Sequence, residues 1–295
     1  MICPVTFYML GQNYTAKVQT KTEYIWLWAV MILCYSLPLA KEIFNSINII
    51  GLVNSFRTMG SEGADSLSAT LYGLHASIGL SGIAIFFSTQ KKIWIQKIIF
   101  VFAFVVSLLT VIHLINRTGL VLVAAVIVAC LLYSGKMSKG RLILSLAIVS
   151  AVAYLLIAIN VLDPEITEAY IAREETATYS VMEGGGRTER WTNALVHLFT
   201  SPLGFPNERY AHNLWLDIAR VSGLFAFIPF LIATILNYKR LFRVIKRGEE
   251  GVTPLLIGLN VTMFLSSCVE PVIEGYFLYF YLLMFLWGCN KRLSI

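Results

Sequence analysis

The chain has 295 residues, of which 57% are hydrophobic and only 14% charged, with a mean hydropathy of +0.72. Soluble domains carry about 25% charge, so this composition excludes an ordinary soluble fold, and several apolar runs reach the roughly 20 residues that cross a bilayer. The net charge of +6 does not mark a nucleic-acid binder, because the lysines and arginines sit between apolar runs, where orientation signals belong.

Residues 1–23 are weakly apolar, then polar, with Lys17 and Lys21. They lack the basic start of a cleaved signal peptide. Eight spans are expected, at about 24–40, 72–89, 93–115, 119–133, 142–162, 214–237, 252–269 and 276–289. An outer segment, 41–71, follows the first span and carries Arg57, Glu62 and Asp65. Lys91 and Lys92 close the second span. A tight turn, Asn116-Arg117-Thr118-Gly119, separates the third from the fourth, and basic clusters follow the fourth and sixth. With the N-terminus in the cytoplasm, 15 lysines and arginines fall inside and seven outside. That bias predicts an all-α polytopic transmembrane bundle, residues 1–295 as one domain with both ends inside. Cys3, Cys34, Cys130, Cys268 and Cys289 are scattered without a CxxC pair, which supports neither a disulfide framework nor a zinc site.

The long outer loop, 163–212, breaks the apolar pattern. It holds four arginines, two of the four histidines and eight acids. Most other acids, and all four histidines (His75, His113, His197, His212), also fall on the outer side, so chemistry, if present, belongs there. Within the loop, Trp191, Ala194, Leu195, Leu198 and Phe199 recur at helical spacing, with Arg190, Asn193 and His197 opposite. Two readings fit: an amphipathic helix on the membrane surface, or a loop helix packed on the bundle. Glu183-Gly184-Gly185-Gly186 before it reads as a hinge or strap. Asn213 is placed to cap the sixth span, which puts His212 just before a helix N-terminus. The positive end of the helix dipole disfavours imidazolium there, as a general base near neutral pH requires. Asp217 and Arg220 lie three apart on one helix face and can pair. Arg117, in a short outer turn, fits either an interfacial side chain with its charge in water or an anion clamp.

Three pieces together carry a resemblance. They are Asn116-Arg117-Thr118-Gly119 between two spans; Arg190-Trp191 with Asn193-Ala194-Leu195; and Ser201-Pro202-Leu203-Gly204 leading to His212-Asn213-Leu214-Trp215-Leu216 with Gly223. In order and setting, residues 55–290 resemble the O-antigen ligase and O-antigen polymerase family of bacterial membrane glycosyltransferases. The resemblance implies transfer of a glycan from an undecaprenyl-diphosphate carrier at the periplasmic face of the inner membrane, without metal or cofactor. It implies Arg117 and Arg190 as holders of the lipid diphosphate and His212 as the base. Asn213, Arg187, Arg57 and Arg220 are expected to line the substrate site. The acceptor would be another lipid-linked glycan in a polymerase, or lipid A-core or protein in a ligase, with a chain-length regulator protein as a further partner. The family usually has ten or more spans, and a second glycine is common where Leu224-Phe225-Ala226-Phe227 stands.

The residues fit this chemistry on their own terms. A diphosphate is a good leaving group and needs no general acid. It needs positive charge as it departs, and the acceptor hydroxyl needs one base. No DxD and no P-loop occurs in the sequence, which disfavours a metal-dependent sugar-nucleotide transferase and supports no use of ATP. Attack opposite the diphosphate inverts the anomeric centre. Two other classes stand beside this one. A transporter or flippase would want repeats, broken helices or charges spread through the spans, and only Asp217 and Arg220 point that way. A non-catalytic subunit of a polysaccharide assembly machine is the third.

Overall fold

The computed structural model describes residues 2–50, 58–59, 67–88, 93–114, 116–134, 187–248 and 251–295. The expected span at 142–162, the loop segment 163–186 with its glycine hinge, and Arg57 lie outside the described residues. What is described is helical apart from one short antiparallel ladder. In it β1 (Thr58–Met59) pairs with β2 (Leu67–Ser68), Thr58 opposite Ser68 and Met59 opposite Leu67. The helices are α1 (Ile2–Lys17), α2 (Lys21–Ile50), α3 (Ala69–Leu80), α4 (Trp94–His113), α5 (Arg117–Ser134), α6 (Arg187–Thr200), α7 (Leu214–Arg247), α8 (Thr253–Val269), α9 (Val272–Gly275) and α10 (Phe277–Leu293). A 3₁₀ stretch, Ser81–Phe87, prolongs α3.

Three helical segments are long and apolar enough to cross a membrane: Lys21–Phe44, Trp94–His113 and Leu214–Arg247. Leu71–Phe87, Thr118–Tyr133 and Thr253–Val269 are shorter apolar helices. These are the features of a membrane protein, in which helices satisfy their own backbone groups.

Several elements depart from the expected boundaries. Residues 2–17, expected outside any element, form α1. Helix α2 continues through Pro38 to Ile50, ten residues beyond the expected end of the first span. The expected tight turn is shorter than four residues: Asn116 Oδ1 accepts the Gly119 amide at 3.2 Å, so α5 starts at Arg117. Helix α7 runs through the basic cluster at 239–247 and stops at Gly248, whose left-handed backbone (φ 66°) ends it.

By its internal contacts the chain forms two units. The first comprises Met1–Tyr24, Thr178–Glu249 and Met263–Ile295. In it α1 lies close against α10. A Cβ on Gly11 would strike the Phe285 carbonyl, and one on Gly288 the Tyr8 carbonyl, so both positions must lack a side chain. Phe7 stacks on Tyr281 at 5.0 Å, and Arg240 donates to the Tyr8 hydroxyl at 3.0 Å. Helix α7 meets α10 through Phe230, whose ring stacks on Trp287 at 5.5 Å, and through Asn237, which accepts from the Asn290 amide at 3.0 Å. The second unit, Ile25–Ala177 with Glu250–Thr262, packs α3, α4 and α5 closely. Gly79 sits against Ser107 and Gly119 against Val111. The Ser88 hydroxyl donates to the Gly251 carbonyl at 3.0 Å.

Candidate active site

The segment between α6 and α7 is short, irregular and heavily hydrogen-bonded. The Asn213 side chain accepts the amides of Trp215 and Leu216 at 3.1 and 3.2 Å, which caps α7 as its sequence position predicts. Its Nδ2 donates to the Cys268 carbonyl at 3.2 Å. One residue earlier, His212 has φ 55°, the left-handed region. For a residue with a Cβ this costs about 1–2 kcal/mol, so the surroundings must impose it. Asp217 does so. Fully buried at 0% exposure, it accepts the Ala211 amide through Oδ1 at 2.6 Å and the Asn213 amide through Oδ2 at 3.1 Å. One carboxylate thus grips the backbone on both sides of His212. Trp191 adds a third restraint, its Nε1 donating to the Ala211 carbonyl at 2.8 Å.

Arg220 holds the other end of this segment. Its guanidinium donates to the carbonyls of Pro206 at 2.9 Å and Glu208 at 3.3 Å, and it pairs with Glu274. Its Nε is 3.9 Å from Asp217 Oδ1. The expected i,i+3 pair is therefore present, but the shorter bonds of Asp217 go to the backbone beside His212 and those of Arg220 to Glu274 and the loop carbonyls. The segment also binds α7 directly: the amides of Phe205 and Leu224 donate to the carbonyls of Arg220 and Pro202, each at 2.8 Å. That second bond is possible because Gly223 leaves the helix (φ 66°), and any side chain there would meet the Pro202 carbonyl. Beneath lies a small apolar core of Ala194, Leu198, Phe205, Ala211, Leu216 and Ala219, with Trp191 against it.

The imidazole of His212 sits edge-to-face on Tyr210, centroids 4.7 Å apart, and the Arg190 guanidinium lies 5.6 Å over that same Tyr210 ring. The His212 Nδ1 is buried and has no hydrogen-bond partner among the described residues. Burial, then the positive charges of Arg187 and Arg190, push its pKa down from 6.5 to about 4. The ring is neutral at pH 7. Arg187 is itself steadied by Glu270, 3.5 Å away.

Of the residues singled out from the sequence, His212, Asn213, Arg190 and Arg187 come together around the start of α7. Arg220 stands beside them, with its donors turned to the protein. Arg117 begins α5 in the second unit. Tyr210, which joins Arg190 to His212, was not among the expected residues; the aromatic two positions before a histidine was the available signal. Nor was the grip of Asp217 on either side of that histidine. Among the described residues no three His, Cys, Asp or Glu side chains gather as a metal site would need. No protein-family model matches the chain, and no curated protein matches it in sequence.

Proposed function

We propose that this chain is a glycosyltransferase of the bacterial inner membrane, with eight spans, both ends in the cytoplasm and its site on the periplasmic side. It joins an undecaprenyl-diphosphate-linked saccharide to an acceptor hydroxyl, as a polymerase or a ligase. The observation that carries this reading is the neutral, half-buried imidazole of His212 under the positive field of Arg187 and Arg190. In the reaction, the acceptor hydroxyl gives its proton to an imidazole nitrogen as its oxygen bonds the anomeric carbon. The bond from that carbon to the diphosphate breaks, and undecaprenyl diphosphate leaves as an anion against the guanidinium groups. Arg117 is assigned to the same anion on the strength of the sequence resemblance.

A base with a pKa near 4 is weak; burial causes most of that, and the same arginines supply the part that the donor can reverse. Once the diphosphate lies against Arg187 and Arg190, their field at His212 is cancelled and its basicity rises. The base strengthens when the donor is in place. For the transport reading, Asp217 and Arg220 are occupied in shaping the loop, while the break in α7 at Gly223 is a feature that reading would want.

The test is glycan transfer by the purified protein in nanodiscs, supplied with undecaprenyl-diphosphate-linked oligosaccharide and read as polymer ladders or transferred glycan. His212→Asn, chosen because asparagine tolerates the left-handed backbone, is expected to abolish transfer with the fold intact. Wild-type transfer by His212→Asn refutes the role given to the imidazole, and movement of the lipid-linked glycan across the bilayer without any joining favours a flippase.

A further inference from the structure

The polar face of α6 borders a surface cleft. Glu189, Arg190, Asn193 and His197 stand along it at helical spacing and, with Glu208 and Arg209 of the following loop, enclose a cleft of about 250 Å³. Its floor is apolar, formed by the buried Ala194 and Phe205. The His197 ring lies 5.5 Å from that of Phe205, and its Nε2 is 3.7 Å from Glu208 Oε1. His212 does not line the cleft. Arg190 lines it and also lies over Tyr210, the ring that touches His212.

The chemistry of this lining selects against a diphosphate. Two guanidinium groups are matched by two carboxylates, so the cleft has no net charge to offer an anion. What it offers is a dense mixture of donors and acceptors, with planar carboxylate, amide and guanidinium groups above an apolar floor. That combination suits a neutral, hydroxyl-rich ring, whose oxygens both donate and accept and whose C–H face is apolar. The volume holds about one such ring.

We infer that this cleft is a sugar subsite that binds one uncharged pyranose unit of the glycan, next to the diphosphate position and sharing Arg190 with it. The inference rests on the glycosyltransferase reading for the glycan's origin; the cleft's preference for neutral sugar can be measured without it. Glu208 and Asn193 hold hydroxyl groups, and Arg190 separates the sugar from the charged leaving group.

The experiment uses the full chain in nanodiscs and two probes. A glycan array carries matched neutral and acidic oligosaccharides, and inorganic pyrophosphate is titrated by calorimetry. Neutral glycans are expected to be retained in preference to acidic ones. Glu208→Gln, and separately Asn193→Ala, both on an exposed surface, are expected to weaken retention roughly tenfold, as loss of a hydrogen bond to a charged or amide group implies. Pyrophosphate binding should be unchanged in both variants and lost in Arg187→Ala. The proposal is overturned if the wild-type protein retains no neutral glycan, prefers acidic ones, or loses nothing in either variant. Glycan retention without any pyrophosphate binding would sink the diphosphate assignment while leaving the sugar subsite standing.

Discussion

The α1–α10 seam and the segment from Ser201 to Arg220 belong to the same unit, yet opposite forces hold them. At the seam, Gly11 and Gly288 let two backbones approach to contact, and aromatic rings fill the flanks. Charge enters there only at Tyr8, whose hydroxyl accepts from Arg240 and whose ring lies 5.9 Å from Lys291 Nζ. In the segment, directional bonds from Asp217, Trp191, Asn213 and Arg220 are added to the close approach at Gly223. Shape tolerates no extra volume but is indifferent to pH. A hydrogen-bonded loop can hold one residue in a strained conformation and aim its side chain, which packing alone does poorly. The His212 imidazole is found in the second kind of region.

The largest expected effect tests that difference at its centre. Asp217→Ala leaves the buried amides of Ala211 and Asn213 without acceptors and releases His212 from its left-handed backbone. A loss of about 3 kcal/mol follows, read as a fall in unfolding temperature in detergent, together with loss of glycan transfer. Full stability in that variant would show that packing, not the carboxylate, shapes the segment.

Gly288→Val attacks the other region. Overpacking against the Tyr8 carbonyl should cost about 2 kcal/mol by the same melt. The His212 titration followed by NMR should not move, since no group in its electrostatic surroundings is altered. A shifted titration would mean that the two regions are coupled.

Trp191→Phe keeps the ring on the core and removes one hydrogen bond to Ala211, a loss of about 1 kcal/mol in chemical unfolding. Arg190→Gln changes stability least but moves the proton. Removing a positive charge favours imidazolium, so the His212 pKa rises above about 4, while burial, the larger cause, still holds it well below 6.5. Kinetics should show the same coupling through the donor. The acid limb of kcat/KM reports the free enzyme near pH 4, and that of kcat lies at higher pH. Coincident limbs would mean that the diphosphate does not sit on these arginines.

Much of this was legible in the sequence where one local signal sufficed. The apolar period of α6, the asparagine cap of α7 and the extents of α4 and α8 each follow from a short pattern. Helix α1 was missed because its apolar residues surround it with no stripe, so neither length nor period marked it. The end of α7 was missed because Lys239 to Arg247 read as a charged loop, although lysine and arginine are good helix formers and the stop signal was Gly248. At the site, four residue identities were readable but their conformation was not. No pattern says that a histidine will adopt a positive φ, or that a carboxylate five residues on will span it. Those facts come from the closed loop as a whole.

Gly223 divides α7 into a short platform bearing Asp217 and Arg220 and a longer shaft, Leu224 to Arg247. At 1.5 Å per residue the shaft spans roughly 36 Å, enough for a hydrocarbon layer of about 30 Å. When the surrounding lipid thins or thickens, the shaft must change its tilt. Across the break at Gly223, Trp215 of the platform donates to Thr234 of the shaft at 2.9 Å and the Leu224 amide donates to Pro202, so a change in tilt is carried from the shaft to the segment that aims the imidazole.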